Sequence, residues 1–276
     1  MLHTVTGLEL RQTQYITNIL TRFSMENSRP VSTPFDPKAP LVQADESEPA
    51  YEKQLYQQII GSLMYLVTCT RPHLGFFVSF LSRFSSHSLL CHHTAVKRVF
   101  HYLAGTRTTS LVYTRHLSMD IPLLITGYSD ADYASCRNTR RSVSGYVFLL
   151  NGCAISWLLK KQNSVSTSIT KFEYMALATT ARQALCYING LSQLTFTILV
   201  ELKANNISSI NVTENPINNP KTKHINISYH FTREHLIHKS FTLSYVPTGE
   251  NLADIMTKGL PSVLHNRHIQ GLGLTQ

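Results

Sequence analysis

An acidic pair, Asp130 and Asp132, follows an apolar run over Ile121–Thr126, and a further carboxylate, Glu173, lies in what reads as the first turn of a later helical pattern. Carboxylates at a strand end and at a helix start, in elements that pack together, can share a divalent metal ion, and their hard oxygens suit Mg²⁺. Softer ligands are poorly arranged. The five cysteines, at 69, 91, 136, 153 and 186, form no Cys-x-x-Cys pair. Their odd number and irregular spacing predict reduced thiols in an intracellular protein rather than a disulfide framework. Cys91-His92-His93 has the residue types of a zinc site, but neighbouring side chains on a helix point about 100° apart and do not converge on one ion.

The elements that would position the carboxylates are legible from periodicity. Ser144–Leu150 and Cys153–Leu159 alternate as strands and are joined by Asn151-Gly152, a pair that tolerates positive φ and signals a tight hairpin. Tyr174, Leu177, Ala178, Ala181, Leu185 and Ile188 recur at helical spacing, with Glu173 just before them. Phe196–Leu202 and Phe241–Val246 read as buried strands, with a basic segment, Lys221–Leu236, between them. In the first half, residues 7–25, 56–68, 73–84 and 92–103 carry helical patterns, interrupted by the Pro-rich stretch 27–50 and stopped at Pro72 and Gly105.

The chain has 276 residues, enough for one large or two medium cores, and a formal net charge of +9, which favours a polyanionic partner. No apolar run approaches the length of a membrane span, and the N-terminus lacks the pattern of a secretion signal. An intracellular location, cytoplasmic or nuclear, is therefore expected.

Several stretches carry a family resemblance: YSDADYA, RRSVSGYVF, ISWLLKKQ, EYMALATTARQAL, TKHINISYHF and YVPTGENLADIMTKGLP, in that order. They resemble the ribonuclease H domain of copia-type retrotransposon Pol polyproteins. RPVSTP, IIGSLMYLVTCTRP, VSFLSRF and AVKRVFHYLAGT resemble the region of the same polyproteins just after the reverse transcriptase palm. The resemblance implies an α/β fold, with a ribonuclease H-like mixed five-stranded sheet flanked by helices over 120–265. It implies a mainly helical thumb- or connection-like region over 1–115, with 266–276 as a tail. The chain then reads as a polyprotein fragment, with the polymerase aspartates upstream of Met1. No Tyr-x-Asp-Asp text occurs in it, so polymerase activity is not expected.

The same resemblance implies two Mg²⁺ or Mn²⁺ ions acting on the RNA strand of an RNA–DNA hybrid, one activating water and one stabilising the leaving oxygen. Three of the family's four acidic positions fall on Asp130, Glu173 and Asp254. The third falls on Asn205, a neutral residue, which predicts weakened metal binding and impaired cleavage. Each acid has a plainer reading. Asp130 could form a strand-end turn, Glu173 could cap Thr170 through a capping box, and Asp254 could favour its helix's positive end. Arg137, Arg140, Arg141, Lys160 and Lys161 cluster near the hairpin and would track a nucleic-acid backbone. Arg83, Lys97, Arg98 and Arg107 are phosphate-contact candidates in the first half, where Phe76, Phe77 and Phe80 read as core. The alternative is a non-catalytic nucleic-acid-binding relic or domesticated module that keeps the fold and the basic surface.

Overall fold

A computed structural model of the chain describes all residues except 37–48, 116–121, 133–141, 163–168, 194–196 and 215–225, and only the backbone of 226–229. The chain divides into two compact units, Met1–Tyr113 with Lys258–Gln276, and Thr114–Thr257.

The first unit opens with a hairpin of β1 (Leu2–Thr4) and β2 (Gly7–Leu10), followed by α1 (Thr13–Arg22), α2 (Lys53–Cys69), a 3-10 turn over Pro72–Leu74, α3 (Gly75–Ser82), α4 (Leu90–Gly105) and β3 (Ser110–Thr114). The helix expected over residues 7–25 is shorter than its pattern. Gly7 costs a helix about 1 kcal/mol relative to alanine, and its stretch pairs with Leu2–Thr4 instead. Ile16 and Leu20, Ile59, Leu63 and Leu66, and Val96, Val99 and Phe100 bury the facing stripes of α1, α2 and α4 in one core. Phe77 is buried and Phe80 packs on that core, in keeping with the apolar reading. Residues 258–276 hold α9 (Ser262–Gly271) and β9 (Leu274–Thr275), which pairs antiparallel with β3 to close a sheet of order β1-β2-β3-β9.

The second unit runs β4 (Leu123–Asp132), β5 (Val143–Leu150), β6 (Cys153–Lys161), α5 (Ile169–Leu191), β7 (Ile198–Ala204), α6 (Ile207–Glu214), α7 (Asn226–Ile237), β8 (Thr242–Tyr245) and α8 (Asp254–Thr257). Its sheet order is β6-β5-β4-β7-β8, with β4, β5 and β6 antiparallel and β4, β7 and β8 parallel. This is the mixed five-stranded sheet, with helices packed on it, that the sequence led one to expect. The β5–β6 turn has φ of 49° at Asn151 and 88° at Gly152, both in the left-handed region that the dipeptide was read to supply.

Strand β4 runs past Thr126 to Asp132 because Gly127 is needed inside it. A Cβ there would lie 2.5 Å from the Phe148 ring and 2.8 Å from Leu202. Ile125, Phe148, Leu177, Ala181, Val200 and Leu202 form the core between this face and α5. Strand β7 is displaced from the expected Phe196–Leu202 and is buried on one face only: Val200, Leu202 and Ala204 point inward, while Leu199 is 53% exposed. On β5, Tyr146 and Phe148 point to the α5 side, so Gly145 faces the opposite side, where α8 lies. Helices therefore flank the sheet on both faces. Among the described residues no helix is long and apolar enough to cross a membrane.

Candidate functional site

Asp130 sits near the C-terminal end of β4 in a fully buried position. A carboxylate there must find donors, because an unpaired buried charge is costly. The chain supplies them. The Thr257 hydroxyl, from the end of α8, donates to Asp130 Oδ2. The Asn205 amide Nδ2 makes a long 3.5 Å contact with Asp130 Oδ1. Asn205 lies between β7 and α6, the strand-to-helix junction at which an acid was expected, and its own Oδ1 is buried without a hydrogen-bond partner among the described residues.

Glu173 reaches the same strand end, where its Oε2 accepts the Ala131 N–H at 3.1 Å. The capping-box reading fails on this point. Helix α5 begins at Ile169, so Thr170 lies within the helix and Glu173 beyond its first turn, with no acid in that turn. The side chain ties α5 to β4 instead of closing its own helix.

Asp254, 2% exposed, is the first residue of α8. A helix of four residues has little macrodipole, so the turn is placed by side chains. Buried Asn251 donates from Nδ2 to the Ser129 carbonyl at 2.9 Å and accepts the Ala253 N–H at 3.2 Å on Oδ1. One amide thus clamps the backbone beside Asp130 to the backbone beside Asp254. Gly145, opposite Asp130 in the β4–β5 register, lets α8 lie against the sheet. A Cβ at that position would come within 2.8 Å of Thr257 Cγ2 and 2.9 Å of Met256 Cβ.

Asp130, Glu173, Asp254 and Asn205 are therefore brought together around one end of β4. Their convergence falls short of a metal centre: among the described residues no group of three or more His, Cys, Asp or Glu is placed to hold an ion. The residues present do not fit a pair of divalent ions. An amide N–H donor faces Asp130 where a third carboxylate would have faced a cation, and a hydroxyl occupies its other oxygen.

Of the expected basic cluster, Lys160 is exposed and Lys161 half-buried at the end of β6. Arg137, Arg140 and Arg141 lie outside the described residues. In the first unit, Arg98 bonds Thr33 at 3.1 Å and lies 3.9 Å from Asp36, while Arg107 donates to the Glu26 carbonyl at 2.9 Å, so both already have partners. Cys91-His92-His93 holds no zinc geometry: His92 stacks on Phe84 and accepts the Leu89 N–H, and His93 stacks on Tyr51.

Sequence reading missed Thr257 as a partner of Asp130 and Asn251 as the amide that joins Ser129 to Ala253. The hydroxyl's position three residues after Asp254 was the one available signal.

No protein-family model matches the chain. It is 34% identical over 264 residues to the retrovirus-related Pol polyprotein from transposon TNT 1-94 of Nicotiana tabacum, an alignment covering 92% of this chain and 19% of that one. It is 32% identical over 273 residues to the corresponding polyprotein from transposon RE1 of Arabidopsis thaliana, covering 98% of this chain and 18% of that one. The chain thus spans about a fifth of the length of these relatives. Among solved structures, LC11-RNase H1 in complex with an RNA/DNA hybrid aligns with a TM-score of 0.38 and 14% identity, over 48% of this chain and 93% of that chain.

Proposed function

Since the chain belongs to the Pol polyproteins of copia-type retrotransposons, we propose that it is a nucleic-acid-binding segment whose ribonuclease H-like centre is impaired for hydrolysis of RNA in RNA–DNA hybrids. Metal-dependent cleavage of that kind needs carboxylates free to bind Mg²⁺ or Mn²⁺. The observation that carries the reading is Asp130, whose oxygens are engaged by Thr257 and Asn205. An asparagine at position 205 brings a neutral amide in place of a negative charge, and its N–H group suits an anion rather than a cation. Asp130, Glu173 and Asp254 keep their places around β4, which supports descent from a working site. The net charge of +9 and the exposed Lys160 support binding to a polyanion.

The test is cleavage of an RNA–DNA hybrid in Mg²⁺ by the unaltered chain and by Asn205→Asp. The unaltered chain is expected to cleave poorly, and the variant at least tenfold faster. Brisk cleavage by the unaltered chain overturns the reading. If neither protein cleaves but both bind the hybrid, the segment is a binding module alone.

A further inference from the structure

We propose that the cleft between the β5–β6 hairpin and α5 is a subsite for the sugar–phosphate backbone of a nucleic-acid strand, with Arg182 as a cationic anchor that works together with Lys160. The inference rests on the reading of the chain as nucleic-acid-binding and adds to it a place and a residue that the sequence did not single out. The cleft has a volume of about 250 Å³, and its lining includes Ser144, Lys160, Lys161, Gln162, Thr179 and Arg182.

The sequence separates Arg182 from the two lysines, but the fold brings them to one opening. Lys160 and Lys161 end β6, and Arg182 projects from α5, nine residues beyond Glu173. Lys160 and Arg182 are exposed, and neither forms an ion pair among the described residues. Arg182 is oriented by a 3.3 Å hydrogen bond to the Thr179 hydroxyl. The described lining contains no carboxylate, and its charged side chains, Lys160, Lys161 and Arg182, are all cationic.

Gln162 is a second, independent sign that the cleft takes a polar ligand. It is 7% exposed, and its Nε2 donates to Ser144 Oγ and to the Phe172 carbonyl. Its Oε1 is buried with no partner among the described residues. An acceptor beside cations matches a group carrying both an anion and a hydroxyl donor, as a ribose–phosphate unit does. A simple inorganic anion would use the cations and leave the acceptor unmet.

Counterion release supplies the test, since each cation that neutralises a phosphate contributes about 0.9 to the slope of log Kobs against log salt on a duplex. Binding of a fluorescent RNA–DNA hybrid without divalent metal would be measured across KCl concentrations for the unaltered chain, Lys160→Ala, Arg182→Ala and Lys203→Ala. Lys203 serves as control because it lies on the opposite sheet face, paired with Glu201 at 3.4 Å. The expected result is a slope shallower by about 0.9 in each of Lys160→Ala and Arg182→Ala, and unchanged in Lys203→Ala. Unchanged slopes in the first two variants, with a hybrid-binding parent, overturn the subsite and leave the function proposed above standing. A parent that does not bind hybrid at all overturns both.

Discussion

In the second unit Asp130, Asn251 and Thr257 are fully buried, and each meets a polar partner from its own chain. In the first unit Arg71, His73 and His265 are buried as deeply, yet Arg71 Nε and Nη1, both ring nitrogens of His73, and His265 Nε2 have no hydrogen-bond partner among the described residues. Arg71 satisfies only Nη2, on the carbonyls of Thr106 and Arg107. Burial pulls its guanidinium down to about 10, which still leaves it charged near neutrality. The rings of His73 and His265 stand edge-on, 5.9 Å apart. Around Asp130 one unit supplies polar partners to its buried groups, with Asn205 Oδ1 left unmet among the described residues. The other carries polar groups whose burial is a cost.

Acid should separate the two most strongly. Burial, with Arg71 and His265 beside it, holds His73 well below the ordinary histidine value, and burial with His268 beside it lowers His265 to about 4. Both rings are neutral in the folded chain. Below about pH 6.5 the unfolded chain takes up protons that the folded one refuses, so stability is full above that pH and falls as pH drops towards 4. His265 alone should cost about 1.5 kcal/mol between pH 6.5 and 5, and His73 adds to the loss in the same direction. Trp157, the only tryptophan, reports the second unit, whereas far-ultraviolet dichroism reports both. In urea at pH 5 the dichroism transition should precede the Trp157 fluorescence transition. Coincident transitions unmoved from pH 7 would break the contrast.

A smaller effect is expected at Asp130. Thr257→Val keeps the shape but removes the donor to Asp130, and should cost about 2 kcal/mol in the fluorescence-detected urea transition. A loss under about 0.5 kcal/mol would mean that the hydroxyl does not hold the carboxylate. Smallest of all should be His73→Leu, which removes two unpartnered nitrogens at similar volume. At pH 7 its stability should stay within about 1 kcal/mol of the parent, and its acid sensitivity should be roughly halved. A large loss at neutral pH would show that His73 has a polar role.

Local signals in the sequence were reliable where the chain acts locally. The Asn151-Gly152 turn and the apolar stripes of α2, α4 and α5 needed no distant partner to be recognised. The failures came where remote contacts decide. Nothing near Gly127 in the sequence shows that Phe148 and Leu202 close over it. Gly7–Leu10 is a strand because Leu2–Thr4 pairs with it. The positions of Asp130, Glu173, Asn205 and Asp254 could be assigned to elements from family text, but their partners could not. Thr257 meets Asp130 across 127 residues, and Asn251 meets Ser129 across 122. No spacing rule reaches that far, and the capping-box spacing at Glu173 pointed to the wrong partner.

Thermal unfolding against Mg²⁺ tests most directly whether the protein's own donors have replaced a cation at Asp130. A ligand that binds only the folded state stabilises it by about 2.7 kcal/mol at a hundredfold excess over its Kd, a shift of several degrees for a chain of this size. The unaltered chain is expected to show no Mg²⁺-dependent rise in Tm at millimolar concentrations, and Asn205→Asp a clear one. A saturable rise in the unaltered chain, abolished by Asp130→Asn, would contradict the account.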